Sequence, residues 1–318
     1  MRDETGGRWG FEFVIFRAER GGFPVSWASH LALTDEAGQQ FHYAQRAEIG
    51  PQVNLAPTGA SSTGGFALGI RGLDAGDATT FTRAPWSMTG ANGTDQLSAM
   101  AGGAEALGDG RDAFGLALAL ASTKPPALHD DDGYVDFGVA GGSYYYSRTA
   151  MTASGSLAIG ARQLAVTGTA WFDHQWGDFI SVGGGGWDWF ALNLGDGTDI
   201  TLSMVRAADG SYPLVYGTLV AKDGTTRRLG AGDFTVSVTK RWTSPATGAD
   251  YPAGWRVAIP SAGVVADLVP AVPQQELDTR ATTGVVYWEG SQRVTATVDG
   301  KDVGGEAYVE LTGYPPAK

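Results

Sequence analysis

Residues 170–177 carry side chains that could protonate a carbon–carbon double bond. On a strand, the two-residue period puts Trp171, Asp173 and Gln175 on one face. The carboxylic acid would supply the proton, and the electron-rich indole face would stabilise the resulting carbocation by roughly 0.5–2 kcal/mol. Burial against aromatic rings would raise the pKa of the acid and keep it protonated near neutral pH. The alternative is that Asp173 faces solvent while Trp171 fills the core.

The opposite face of the same strand would present Phe172, His174 and Trp176. His30 lies on another predicted strand and could meet His174 inside one barrel, although a hydrogen-bonded core histidine is the common alternative. The four histidines form no HxxxH or HExxH pattern and the chain has no cysteine. The acidic run at 129–133 lacks the downstream glutamate of a hand-type calcium loop, so it is interpreted as a solvated turn. We therefore expect no metal and no other cofactor.

Composition and charge narrow the classes of partner. The net charge of −12 leaves no basic stripe for a phosphate backbone, so we expect no nucleic acid. No run of about 18 apolar residues occurs, so we expect no integral membrane span. Ten Trp, 11 Tyr and 13 Phe are typical of a pocket for a hydrophobic small molecule, although large β cores also use aromatic residues. The sequence leaves the compartment open between cytoplasm and export.

The elements that must position these side chains are β-strands. Apolar and polar residues alternate at 9–15, 234–239 and 255–259, and no long helical stripe occurs. Pairs of turn residues at 109–110, 132–133, 196–197, 209–210 and 223–224 predict hairpins. Residues 95–108 are interpreted as one short helix or a loop. With 48 glycines in the chain, this pattern predicts an all-β protein.

The chain also repeats itself weakly. Residues 13–24 align without gaps on 202–213, and 170–173 align on 307–310 in the same order. We predict two β-barrel halves, residues 1–178 and 179–318, joined near 175–185. Glu310 becomes the repeat counterpart of Asp173 and is expected in the other barrel, outside the site. The strand at 186–192 has no counterpart before the first half, so we expect a Trp-rich strand upstream of Met1.

Residues 167–177, TGTAWFDHQWG, resemble the signature of the hydroxyneurosporene synthase family, which includes carotenoid 1,2-hydratases. Further similar segments follow in order along nearly the whole chain: SYYYS at 143–147, GWDWF at 186–190, YPAGW at 251–255, YWEG at 287–290 and YVELTGY at 308–314. The resemblance implies two consecutive lipocalin-like antiparallel β-barrel domains. Such proteins usually carry a Glu-Trp-Trp-Tyr strand near the N-terminus, which this sequence lacks.

The resemblance implies carotenoid hydratases, a phytoalexin hydratase, and pericyclases or cyclases as functional models. We expect a cofactor-free acid/base enzyme, a lyase or an isomerase, that protonates an alkene of an isoprenoid-like substrate and so hydrates, isomerises or cyclises it. A carrier of a hydrophobic ligand and a pericyclase that acts by pocket shape alone are the alternatives. The candidate catalytic residues are Asp173 and His174, and the candidate substrate-binding residues are Trp171, Trp176, His30, Tyr145, Trp187 and Trp189.

Overall fold

The computed structural model describes residues 1–19, 21–50, 65–71, 84–138, 141–178 and 184–314. These residues form antiparallel strands and a short 3-10 turn at Pro260–Ala262, and no α-helix occurs among them. The prediction of an all-β fold is therefore confirmed.

The strands follow one another along the chain in this order: β1 (Arg2–Asp3), β2 (Trp9–Ala18), β3 (Ser26–Asp35), β4 (Gln40–Ile49), β5 (Phe66–Ile70), β6 (Trp86–Ala91), β7 (Thr94–Ala101), β8 (Leu107–Gly108), β9 (Phe114–Ser122), β10 (Ala127–Leu128), β11 (Tyr134–Asp136), β12 (Gly142–Ile159) and β13 (Arg162–Asp178). The later strands are β14 (Gly184–Leu194), β15 (Asp199–Ala207), β16 (Leu214–Val220), β17 (Thr226–Gly230), β18 (Thr235–Val238), β19 (Arg241–Thr243), β20 (Asp250–Pro252), β21 (Trp255–Ile259), β22 (Val264–Pro270), β23 (Glu276–Asp278), β24 (Val286–Val298), β25 (Lys301–Asp302) and β26 (Gly305–Thr312).

The chain groups into two compact units, each built from separate segments. Unit 1 contains Met1–Ser122, Thr152–Ala170 and Asp278–Val285, and unit 2 contains Thr123–Met151, Trp171–Leu277 and Val286–Lys318. Strands β12 and β13 contribute residues to both units. The domain boundary between residues 178 and 179 stays a prediction, and residues 179–183 of the expected junction lie outside the described residues.

Unit 1 contains a four-stranded sheet in the order β2-β3-β4-β8 and a run of paired strands in the order β9-β7-β6-β5. The short helix considered for residues 95–108 is wrong, because Thr94–Ala101 is strand β7. Leu97, Ala99 and Ala101 are buried, and exposed residues alternate with them. This two-residue period matches the pleat of a strand that pairs with β6 and β9.

Unit 2 contains a nine-strand path in the order β17-β16-β15-β14-β26-β24-β22-β21-β18. Two of the predicted hairpin turns join its strands β14, β15 and β16. Gly197 and Gly210 have φ of 92° and 84°, a left-handed conformation that glycine adopts without a steric cost. The repeated segments 13–24 and 202–213 each begin in a strand, β2 or β15, and the superposition of two barrels stays a prediction.

Strands β14 and β26 place the core of unit 2 on one face. Phe190, Leu192, Val309 and Leu311 are fully buried there in one cluster with Trp255. Fully burying a side chain of this size contributes about 1.5–3 kcal/mol, so a one-residue slip of either strand is strongly disfavoured. The register therefore sends the alternate residues of both strands to the opposite face of the sheet.

Candidate active site

Strands β12 and β13 present two chemically different faces in unit 2. Gln175 Nε2 donates a hydrogen bond to Ser143 Oγ at 2.8 Å, and the Ser147 hydroxyl donates to the Asp173 carboxylate. Hydroxyl and carboxyl groups of neighbouring strands therefore meet on one face. That face carries Ser143, Tyr145, Ser147, Trp171, Asp173 and Gln175.

Asp173 lies beside the indole of Trp171, as its spacing predicts. Trp171 Nε1 donates to Asp173 Oδ1 at 3.0 Å, and Ser147 donates to the same oxygen. The ring of Trp189 stands edge-on to that of Trp171, with centroids 6.2 Å apart. Trp189 Nε1 in turn donates to the hydroxyl of Tyr145 at 3.0 Å. One carboxylate oxygen thus receives two donors, and aromatic rings surround the group.

Protein surrounds the Asp173 carboxyl closely enough to change its acidity. Desolvation raises its pKa from the ordinary 3.8 to about 6, against the opposing hydrogen bonds from Ser147, Trp171 and Tyr145. The side chain nevertheless remains exposed to solvent. Asp173 therefore remains accessible while retaining its proton to higher pH than a free carboxyl.

Glu310 joins this site, contrary to the expectation that it lies apart in another barrel. It lies directly opposite Trp189 in the pairing of β26 with β14, so both side chains leave the same face of the sheet. Desolvation raises the pKa of Glu310 above its ordinary value, a hydrogen bond from Trp187 lowers it, and the negative charge of Asp173 raises it further. The end of β13 belongs to unit 2, as β26 does, which is why the repeat misplaced Glu310. Asp173 and Glu310 are called the carboxylate pair below.

The other face of β13 carries the remaining predicted residues of that strand. His174 lies 4.5 Å from the ring of Trp176 and 5.4 Å from that of Tyr146, measured between centroids. Arg148 lies over the ring of Phe172 at 4.1 Å. Burial and the charge of Arg148 lower the pKa of His174. His174 and Trp176 therefore point away from the carboxylate pair, because neighbouring residues of a strand alternate between faces.

His30 belongs to unit 1, whereas His174 belongs to unit 2, so the two histidines are not grouped in one compact unit. His30 Nε2 lies 3.1 Å from Thr282 Oγ1, and its ring makes an edge contact with Phe16. Burial lowers the pKa of His30 to about 4, so the ring is neutral at pH 7. It has the properties of the hydrogen-bonded core histidine that the sequence left as an alternative.

His129 is a residue of the site that could not be recognised from the sequence. Its ring is fully buried, with Nε2 at 2.8 Å from Ser147 Oγ and Nδ1 at 2.8 Å from Thr218 Oγ1. Burial lowers the pKa of His129 to about 4. The acidic run after it does form a turn, in which Asp130 pairs with Arg228. The aspartates that follow His129 in the sequence predict an exposed turn. No residue near His129 in the sequence indicates that its ring is buried.

A cavity of about 450 Å³ lies on the core side of β14 in unit 2. Asp188 and Arg206 form an ion pair at its wall, 2.9 Å apart, and Tyr314 donates a hydrogen bond to Asp188 at 2.8 Å. The remaining lining is mainly apolar, with Met204 and Trp255 among its residues. None of the predicted site residues lines this cavity.

Two features concern metals and membranes. The described part of the chain holds no cluster of three or more histidine, aspartate or glutamate side chains that could bind a metal ion. Within the same residues, no helix is long and apolar enough to span a membrane.

Three comparisons relate the chain to known proteins. The model of the AttH-like family matches residues 1–314. The crystal structure of a putative AttH from Nitrosomonas europaea is 27% identical, with a TM-score of 0.76 over 98% of this chain and 89% of that one. Kievitone hydratase from Nectria haematococca is 14% identical, with a TM-score of 0.67 over 99% of this chain and 86% of that one. CghA is 15% identical, with a TM-score of 0.51 over 97% and 89%. A comparison with curated proteins returns no match.

Kievitone hydratase and CghA show by their similarity only that this chain has the same lipocalin-like all-β fold. The family model covers nearly the whole chain, and the similar structures also extend over nearly its whole length. The chain belongs to the AttH-like family, the carotenoid hydratase-like family that its sequence resembles.

Proposed function

We propose that the protein is a cofactor-free acid/base enzyme of the hydratase or cyclase type that protonates a double bond of an apolar, isoprenoid-like substrate. The observation that carries this proposal is the carboxylate pair. Two carboxyl groups, both with raised pKa, lie in one site whose walls include Trp171, Trp187 and Trp189. Paired groups with shifted acidity are characteristic of acid/base catalysis.

Asp173 is the general acid in this proposal. Its Oδ1 accepts hydrogen bonds from Ser147 and Trp171, so this proposal places the acidic proton on Oδ2, with the hydroxyl of Tyr145 as a third hydrogen-bonding neighbour of the carboxyl. The π electrons of the substrate form a new C–H bond with this proton, and the O–H electrons remain on Asp173 as a carboxylate. The neighbouring alkene carbon becomes a cation, which the faces of Trp171 and Trp189 stabilise by roughly 0.5–2 kcal/mol each.

Glu310 completes the reaction as the general base. In a hydration, water adds to the cation and Glu310 accepts the proton that the water loses. In an isomerisation, Glu310 removes a proton from a carbon next to the cation, and in a cyclisation a second double bond attacks the cation first. Protonated Glu310 and ionised Asp173 then exchange protons with solvent, which restores the starting state. A base with a pKa raised towards neutrality is suited to this role.

The comparisons support a hydratase or cyclase through the name of kievitone hydratase, which has the same fold. The cavity of about 450 Å³ in unit 2 favours a second candidate, a carrier that holds a hydrophobic ligand without reacting with it. One of the similar structures is that of CghA with Sch210972. Turnover distinguishes the two candidates.

The experiment incubates the protein with a panel of isoprenoid alkenes in D₂O and follows products by mass spectrometry. Protonation by Asp173 places one solvent deuterium on a product carbon. Asp173→Asn should lower kcat by roughly 10²–10⁴-fold with little change in KM, because the substitution removes the proton and keeps the shape. The proposed mechanism needs Asp173 protonated and Glu310 ionised, so the activity of the wild type should pass through a maximum between about pH 6 and pH 7 and fall on both sides of it. Asp209→Asn makes the same change in the exposed turn between β15 and β16, and as the control it should retain activity.

Two results would overturn this proposal. Full activity of Asp173→Asn, with no deuterium in the product, would leave a reaction driven by pocket shape alone. Tight binding of an alkene without any product would leave the carrier.

A further inference from the structure

Four buried or site-lining groups form an unbroken chain of hydrogen bonds in unit 2. Thr218 Oγ1 lies 2.8 Å from His129 Nδ1, and His129 Nε2 lies 2.8 Å from Ser147 Oγ. Ser147 then bonds to Asp173 Oδ1. Thr218, His129 and Ser147 are at most 2% exposed, so solvent does not compete for these bonds. Neither His129 nor Thr218 takes part in the proton transfers proposed above.

When Asp173 accepts a hydrogen bond from Ser147, the hydrogen bonds of this chain can be donated in one direction only. Burial lowers the pKa of His129 to about 4, so at neutral pH the ring has one N–H and one acceptor nitrogen. If Ser147 donates to Asp173, its oxygen accepts from His129 Nε2–H. His129 Nδ1 must then accept from the hydroxyl of Thr218.

The reverse direction conflicts with Trp171. It requires a proton on Asp173 Oδ1 that is donated to Ser147. Trp171 Nε1 also points at Oδ1 and can only donate, and a protonated carboxyl oxygen is a poor acceptor. The indole therefore favours the direction that runs from Thr218 to Asp173.

We propose that His129 and Thr218 are positioning residues that hold Ser147 as a donor to Asp173 Oδ1 and so confine the acidic proton to Oδ2. This inference rests on the proposed role of Asp173 as the acid. It assigns His129 to the Nε2–H tautomer and makes Thr218 the residue that selects it. The carboxyl then presents one defined O–H to the substrate.

Other titratable and charged groups face the two ends of this chain. Near Asp173 these are the hydroxyls of Tyr145 and Tyr216 and the carboxyl of Glu310, with Glu289 directly opposite Glu310 on β24. Near His129 these are the ring of Tyr145, 4.0 Å away between centroids, and the Asp130–Arg228 pair. Each of them is kept unchanged in the variants below.

The test is nuclear magnetic resonance of the whole protein labelled with ¹⁵N-histidine and ¹³C-aspartate. In the wild type, His129 should carry its proton on Nε2 from pH 5 to pH 8. Thr218→Val is nearly isosteric and removes the donor to Nδ1, so both tautomers should be populated. Loss of the Ser147 donor should raise the pKa of Asp173 by about 1 in Ser147→Ala, and by a smaller amount in Thr218→Val.

Thr201→Val is the matched control. Thr201 lies directly opposite Thr218 in the pairing of β15 with β16, and its buried hydroxyl has no hydrogen-bond partner in the described part of the chain. This variant should leave the His129 tautomer and the pKa of Asp173 unchanged.

A wild-type His129 protonated on Nδ1 would overturn the inference, even if Thr218→Val did not fold. An unchanged tautomer in folded Thr218→Val would also overturn it. These readouts need no substrate, whereas failure of the proposed function appears only as absent turnover or absent deuterium. The two failures are therefore distinguishable.

Discussion

The pH dependence of stability should change when Asp173 becomes asparagine. Desolvation by the surrounding protein raises the pKa of Asp173 from 3.8 to about 6, so the native state binds this proton more tightly than the unfolded state. The stabilisation is therefore complete below pH 4 and is lost as pH rises to 6. Asparagine cannot ionise, and it keeps a carbonyl oxygen that can accept from Ser147 and Trp171. Asp173→Asn should thus be more stable than the wild type above pH 6.

The structure sets the size of this effect. A pKa difference of about 2 corresponds to about 3 kcal/mol at 25 °C. The side chain of Asp173 is exposed, so solvent screens part of that energy, and we expect a gain of about 1 kcal/mol at pH 8. Glu310 adds to the contrast, because removing the charge of Asp173 lowers the pKa of Glu310.

Urea unfolding followed by tryptophan fluorescence at pH 4, 5, 6, 7 and 8 measures the difference between variant and wild type. The difference should rise from pH 4, continue to rise while Glu310 ionises, and level off above about pH 7. Asp209→Asn is the control, and its stability difference from the wild type should have the opposite sign. Hydrogen bonds from Ser211 lower the pKa of Asp209, so its ionised form stabilises the native state and the variant should be less stable than the wild type at these pH values. A difference for Asp173→Asn that does not vary from pH 4 to pH 8 would refute the reasoning.

Two further predictions concern stability alone. Lys124→Met should lower the free energy of unfolding by about 3 kcal/mol, because it leaves the buried carboxylate of Asp199 without the ammonium that lies 2.7 Å away. Urea unfolding measures this loss. A smaller loss in the double variant Lys124→Met/Asp199→Asn would identify the unpaired charge as the cause. Gly155→Ala should lower the thermal unfolding midpoint by several degrees, because the new Cβ would lie 2.0 Å from the carbonyl oxygen of Ala117 and the backbone φ at this position is 152°. Gly232→Ala is the control and should leave the midpoint unchanged, because its Cβ would meet no atom within 4 Å. Equal midpoints for the two variants would contradict this prediction.

Local patterns in the sequence were sufficient to predict the strands and the composition of their faces. The two-residue period put Trp171 with Asp173 and put His174 with Trp176 on the other side, and both groupings occur in the structure. Hairpin turns at Gly197 and Gly210 were equally predictable, because their conformation depends on residues adjacent in the chain. Burial beside aromatic rings also predicted the direction in which the pKa of Asp173 shifts.

Contacts between distant residues decided the remainder of the site. Glu310 enters it because β26 pairs with β14, a pairing between residues more than a hundred positions apart that the repeat could not reveal. His129 meets Thr218 across 89 positions, and its own neighbours are the aspartates of an exposed turn. A strand's alternation depends on its own residues, and it determines which side chains share a face. The sequence alone does not show which strands become neighbours, because that depends on how all the apolar faces are buried together.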